Sequence, residues 1–253
     1  MSSLSTSRAT PVATSSSGLI LSIGENETPT SSGRLHGHFD VCPTWLELAI
    51  RHLSDAQVGQ VARDAAWSSA DENAKAGAME WEFEASMQAI MASAAAVDAF
   101  CAAVQARAQP PQLLIDEWRE KRTPRYMQIA EILRRALSLA AKDASNLRQN
   151  LGEILRFRDL SIDPSGKTDA PILHPVLGVG VEWRFAYFRY ENALLIVQAT
   201  LRLIGKLVAS EGPKDDEVQR YVDELRSRIE PLQNLKLLAA QTAATDARPG
   251  HEA

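Results

Sequence analysis

From Thr44 onward, apolar residues recur every three or four positions along most of this chain, the period of helices that each bury one face. The first stretch opens at Thr44-Trp-Leu-Glu47, which has the form of a capping box. It predicts a helix through about Leu53, with an extension to Trp67 left open. A second, longer helix is predicted over 74–107, where Phe83, Met87, Ile90, Ala94, Val97, Cys101 and Val104 form a stripe. Its many alanines point to close helix–helix approach. After the break at Pro110 and Pro111 come a short apolar piece at 113–118 and a third helix with Thr123 as N-cap and Pro124 at its first position. A fourth is predicted over 144–160 through Leu147, Leu151, Ile154 and Leu155. A fifth, over 181–209, is apolar on several sides and therefore central. A sixth, over 214–239, is more charged and peripheral.

The period changes ahead of Thr44. Leu35, Gly37, Phe39 and Val41 alternate with His36, His38 and Asp40, a strand pattern that follows the apolar run 19–23 and a turn-rich segment. The predicted organisation is a disordered Ser/Thr-rich tail at 1–18, a β-hairpin at 19–43, a helical domain at 44–240 and a disordered tail at 241–253. A split with 19–70 as a separate subdomain is the alternative. The expected fold class is mainly α: an antiparallel helical bundle with a small N-terminal β-hairpin.

Composition narrows the function classes modestly. Apolar residues make up 45% and charged residues 23% of the 253, an ordinary balance for a globular chain. The net charge of −5 weighs against a nucleic-acid coat. The two cysteines, Cys42 and Cys101, are far apart and outside any C-x-x-C, so a reducing cytoplasm is expected. No apolar run reaches the roughly 18 residues of a membrane span, and no membrane role is expected. The chain contains no G-x-G-x-x-G, Walker loop, H-E-x-x-H or G-x-S-x-G, so no cofactor is expected.

Several side chains are candidates for chemistry. Arg158 follows Ile154 and Leu151 on the inward side of the fourth helix, where a cation needs a carboxylate partner. Glu84 and Asp98 on the second helix are the acids placed to supply one. The basic cluster Arg119, Lys121, Arg122 and Arg125 beside Trp118 suits single-stranded nucleic acid, but Glu117 and Glu120 interrupt it and a solvated interhelical loop is the better reading. Arg184, Arg189 and Arg202 lie on the fifth helix, with Glu182 and Glu191 as available partners. His36, His38 and Asp40 share a strand face, but alternate strand residues lie about 7 Å apart, so no metal site is expected. Gly178 and Gly180 read as the entry to the fifth helix.

The stretches FEASMQAIMASAAAVDAF (83–100) and RFRDLSIDP (156–164), with the long helix 183–204, resemble the HEPN-like superfamily of helical-bundle proteins over roughly 80–208. Active members of that superfamily cleave RNA without metal through an Arg-x4–6-His motif, usually at a dimer interface. Arg158 matches the arginine, but the histidine position holds Asp163. An aspartate with an ordinary pKa near 3.9 cannot do the imidazole's work at neutral pH. His174 lies further along and reaches Arg158 only if the 163–180 loop folds back. The resemblance therefore implies a non-catalytic interaction or assembly protein, a homodimer with a protein partner, in a defence or toxin–antitoxin setting. Two alternatives stay open. One is a metal-independent endoribonuclease built on Arg158 with Asp163 or His174. The other is a nucleic-acid-binding module using the 119–125 cluster.

Overall fold

The computed structural model describes residues 40–162, 170–212 and 215–234. Both tails, and most of the expected hairpin at 19–43, lie outside the described residues. The described end of that hairpin is not a strand, because α1 (Cys42–Trp67) already begins there. Pro43 occupies its first turn, where a missing N–H costs nothing, and Val41 is the N-cap. The helix thus starts ahead of Thr44, and the capping box does not form.

Asp71 caps α2 (Glu72–Ala108), accepting from the N–H groups of Asn73 and Ala74. Gln109 ends the helix in the left-handed region ahead of the two prolines. The short apolar piece is helical, as α3 (Gln112–Glu120), and buries none of its residues. α4 (Arg125–Ala136) starts one residue later than expected. Pro124 is its N-cap, and the Thr123 side chain makes no capping bond. α5 (Ala141–Ser161) follows.

Among the described residues the single sheet is a minimal antiparallel pair, β1 (Ile172–Leu173) and β2 (Gly180–Val181), with Ile172 opposite Val181. It occupies what the sequence reads as loop and helix entry. The fifth predicted helix is in fact two, α6 (Trp183–Tyr187) and α7 (Tyr190–Val208). The break lets Phe188 turn into the core, 1% exposed, edge-on to Phe83 and Phe157. Asp215 caps α8 (Asp216–Gln233) through Glu217 and Val218.

Two helices carry most of the packing. α1 buries Cys42, Leu46, Ala49, Leu53, Ala56 and Gly59 along one stripe, against α2. A Cβ on Gly59 would fall 2.8 Å from the Glu82 Cα, so only glycine permits the contact at that crossing. α2 is buried on two faces. Ile90, Ala94, Val97, Cys101 and Val104 face one way, with Phe83 and Met87 half-buried at the end of that stripe. The alanines at 85, 89, 92 and 96 make the other. By length and composition α2 is apolar enough to cross a membrane, with a mean hydropathy of 1.6 in its best window, although charges interrupt every run. Of that window, 56% is already buried within the protein. α7 is central, with twelve buried residues against α1, α2 and α8.

Candidate functional site

Arg158 sits in the last turn of α5, where the helix dipole favours a cation. Its neighbour Phe157 packs on Tyr187 and Phe188, which anchors the end of α5 to the α6–α7 junction. Arg158 turns instead to α2. Its Nη1 donates to Asp98 Oδ2 at 3.0 Å, and its Nε and Nη2 donate to Asp159 Oδ1. Asp98 also receives Arg125 Nη2 at 3.3 Å, so one carboxylate links α2 to both α4 and α5. Glu84 is exposed and stands outside this group. The pair is not in the core: the side chains of Arg158 and Asp98 are 24% and 33% exposed. The physical reason is that α5 is ending, and its last turn lies at the edge of the packed region.

Among the described residues, the side-chain bonds of Arg158 go to Asp98 and Asp159 and none goes to a histidine. Asp163 lies outside the described residues. His174 is buried, and the charged groups acting on it are Arg63, Asp64, Arg189 and Glu191, with Arg158 absent from that set. His174 Nδ1 accepts from the N–H groups of Val176 and Leu177, at 3.3 and 3.2 Å. Its own N–H donates to Val179 O, and its carbonyl accepts from Gly178. Nδ1 is therefore the bare nitrogen and Nε2 carries the proton. Burial lowers the His174 pKa, and the Arg63 and Arg189 guanidinium groups lower it further. This imidazole is a neutral pin for the 174–179 turn. Gly178, at φ +67°, supplies the left-handed residue the turn needs. The glycine pair thus belongs to a hairpin and not to the entry of a long helix.

Beside His174 lies a polar cluster that the sequence analysis missed. Arg63 is fully buried on α1 and donates from Nη1 to Glu82 Oε2 at 2.5 Å. Its Nε and Nη2 reach Asp64. The other Glu82 oxygen accepts the Tyr190 N–H at 2.9 Å, so a carboxylate from α2 caps the start of α7. Burial pushes the Glu82 carboxyl above the ordinary glutamate value, opposed by the Tyr190 N–H and by Arg63. Glu191 joins from α7, accepting Gln60 Nε2 at 2.8 Å and Arg189 Nη1 at 3.3 Å. The signal was present in the spacing. Arg63 continues the buried α1 stripe four residues after Gly59. Glu82 falls between Ala78 and Ala85 in the second stripe of α2.

Most of the remaining candidates are paired. Arg119 pairs with Asp116, Lys121 with Glu117 and Arg125 with Asp98, which neutralises much of the basic cluster. Glu117 raises the Lys121 pKa. Arg122 is exposed, in the left-handed region at φ 49°. Arg184 pairs with Glu182 at 2.6 Å, and Arg202 donates to Gln198. His36 and His38 lie outside the described residues. Among the described residues no three metal-ligating side chains converge. Burial pushes the Cys101 thiol up to about 11, which leaves it a packing residue.

One open feature adjoins Arg158. A cleft of about 970 Å³ lies between the start of α4 and the outer face of α5, with Arg125, Arg148, Arg156 and Arg158 on its walls. Glu153, Asp159 and apolar side chains complete its lining. No protein-family model, no curated protein and no solved structure matches this chain.

Proposed function

We propose that this chain is a non-catalytic helical interaction or assembly protein, an antiparallel bundle of HEPN-like design. In this reading it acts as a cytoplasmic homodimer beside a protein partner, in a defence or toxin–antitoxin setting. One observation carries it: the arginine and histidine that could have formed a cutting pair serve different structures. Asp98 and Asp159 engage Nε, Nη1 and Nη2 of Arg158, while His174 spends its lone pair on the backbone of its own turn. An arginine so held is a scaffold group, and a neutral buried imidazole is a poor proton donor for a leaving group.

The test is RNA cleavage by the purified full chain in EDTA, beside Arg158→Ala, with the oligomeric state measured by sedimentation. The expected result is intact RNA with both proteins and a dimeric wild type. Cleavage that disappears in Arg158→Ala, or a monodisperse monomer, would overturn the proposal.

A further inference from the structure

We infer that the cleft between α4 and α5 is a docking site for an acidic amphipathic segment of a partner protein. This rests on the reading of the chain as an interaction protein and names the partner's chemistry. The floor is apolar, built from Tyr126, Leu155, Leu160 and Ile162. Ile162 is 60% exposed, a high value for an isoleucine beside a core. A Cβ at Gly152 would stand in ordinary contact with the Tyr126 ring at 3.8 Å, so a longer side chain there would occupy the floor. The rim is cationic. Four arginines and two carboxylates, Glu153 and Asp159, line the cleft, an excess of two positive charges on a chain whose net charge is −5.

The rim charges are not equivalent. Arg125 and Arg158 are tied to Asp98, and Arg156 to Glu153. Arg148 is exposed, with no carboxylate within ion-pair distance among the described residues. It is the cation left to meet an incoming carboxylate. An apolar floor below a cationic rim matches a helix that presents leucines on one face and glutamates along its flanks. A polynucleotide fits less well. It needs an uninterrupted basic track and stacking faces, whereas Glu153 and Asp159 interrupt the rim and Tyr126 is the one aromatic in the cleft.

The experiment is fluorescence anisotropy of the full chain with a labelled synthetic helix carrying leucine at i, i+3, i+4 and i+7 and glutamate elsewhere. Two comparison probes are the same helix with lysine for glutamate, and a single-stranded oligouridylate. Saturable binding of the acidic helix alone is expected. It should weaken about tenfold or more in Arg148→Glu, which removes the unpaired cation, and in Gly152→Leu, which fills the floor. Circular dichroism establishes that both variants fold. Equal binding of the lysine helix, preference for the oligouridylate, indifference to both substitutions, or no binding of the acidic helix would each overturn the inference. If it fails while the wild type still sediments as a dimer, the cleft assignment falls and the assembly reading stands. If it fails with a monomer, both fall.

Discussion

Arg63–Glu82 and Arg158–Asp98 are arginine–carboxylate pairs that each join α2 to another helix, and they differ in nearly every physical respect. Arg63 and Glu82 are buried, at 0% and 4% side-chain exposure, and are surrounded by further polar groups. Arg158 and Asp98 sit at an edge, a quarter to a third exposed. Both arginines extend an apolar helical stripe, so the pattern along the chain is similar. The difference is what lies beyond the pair. Arg63 points at the start of α7, where Glu82 must also satisfy the Tyr190 N–H. Arg158 points at the rim of an open cleft, where water can replace any partner it loses. A buried pair binds the fold together because breaking it strands a charge, whereas an edge pair mainly orients side chains.

The largest expected effect follows from that contrast. Arg63→Ala leaves Glu82 buried without its cation and should lose about 3–5 kcal/mol, read from a urea unfolding midpoint. Replacing both partners, as Arg63→Met with Glu82→Leu, should be less damaging than Arg63→Ala alone, because no charge is stranded. A double variant worse than the single would show that the Tyr190 N–H is the main dependant of Glu82.

Gly59→Ala should cost about 1–3 kcal/mol, since the new methyl meets the Glu82 backbone and the helices must part. The same displacement would stretch the Arg63 bond one turn away. A neutral result would mean that α1 slides without cost.

Acid should act through His174. Its folded pKa lies below the ordinary histidine value, so the unfolded chain binds the proton more readily. Stability is therefore fully present above the unfolded histidine pKa and falls as pH drops through the folded one. Protonation would also place an N–H on Nδ1 facing the Val176 and Leu177 donors. Glu82, with its pKa raised, works in the opposite sense: its contribution is complete below the ordinary glutamate value and declines as pH rises through its folded pKa. Melting temperatures from pH 7.5 to 5, as chosen conditions, should fall in wild type and fall less in His174→Asn. Identical slopes would remove His174 from the account.

At the edge site the effects shrink. Arg158→Ala should lose about 1–2 kcal/mol, the range of a charge-assisted bond with solvent access. A loss as large as that of Arg63→Ala would erase the distinction between the two sites. Arg148→Ala should leave stability within about 0.5 kcal/mol, since the residue is exposed and unpaired.

The helical architecture was legible because apolar spacing reports burial directly. The stripes of α2, α5 and α7 read from the chain are the faces that pack. The joining of Arg158 to an acid on α2 was legible for the same reason, down to Asp98 as one of two candidates. The break at Phe188 was not, because residues 183–208 are apolar enough to be helical throughout. It exists because a carboxylate from α2 caps Tyr190 and an aromatic cluster accepts Phe188. The 174–179 turn was read as open loop because its pin, His174, depends on backbone donors that only the folded turn presents.

The sequence by itself determined most of the helical segments and which faces turn inward, since both follow from local periodicity and the hydrophobic cost of exposing an apolar stripe. It also determined that the arginine of the motif at 156–164 has no histidine five residues on. Only the tertiary structure decided which charges meet. Arg63 on α1 meets Glu82 on α2, and Glu191 on α7 joins through Gln60, as an outcome of how closely α1 crosses α2 at Gly59 and where α7 begins. Pairing of that kind depends on ångström-scale distances between elements, which no spacing within one element encodes.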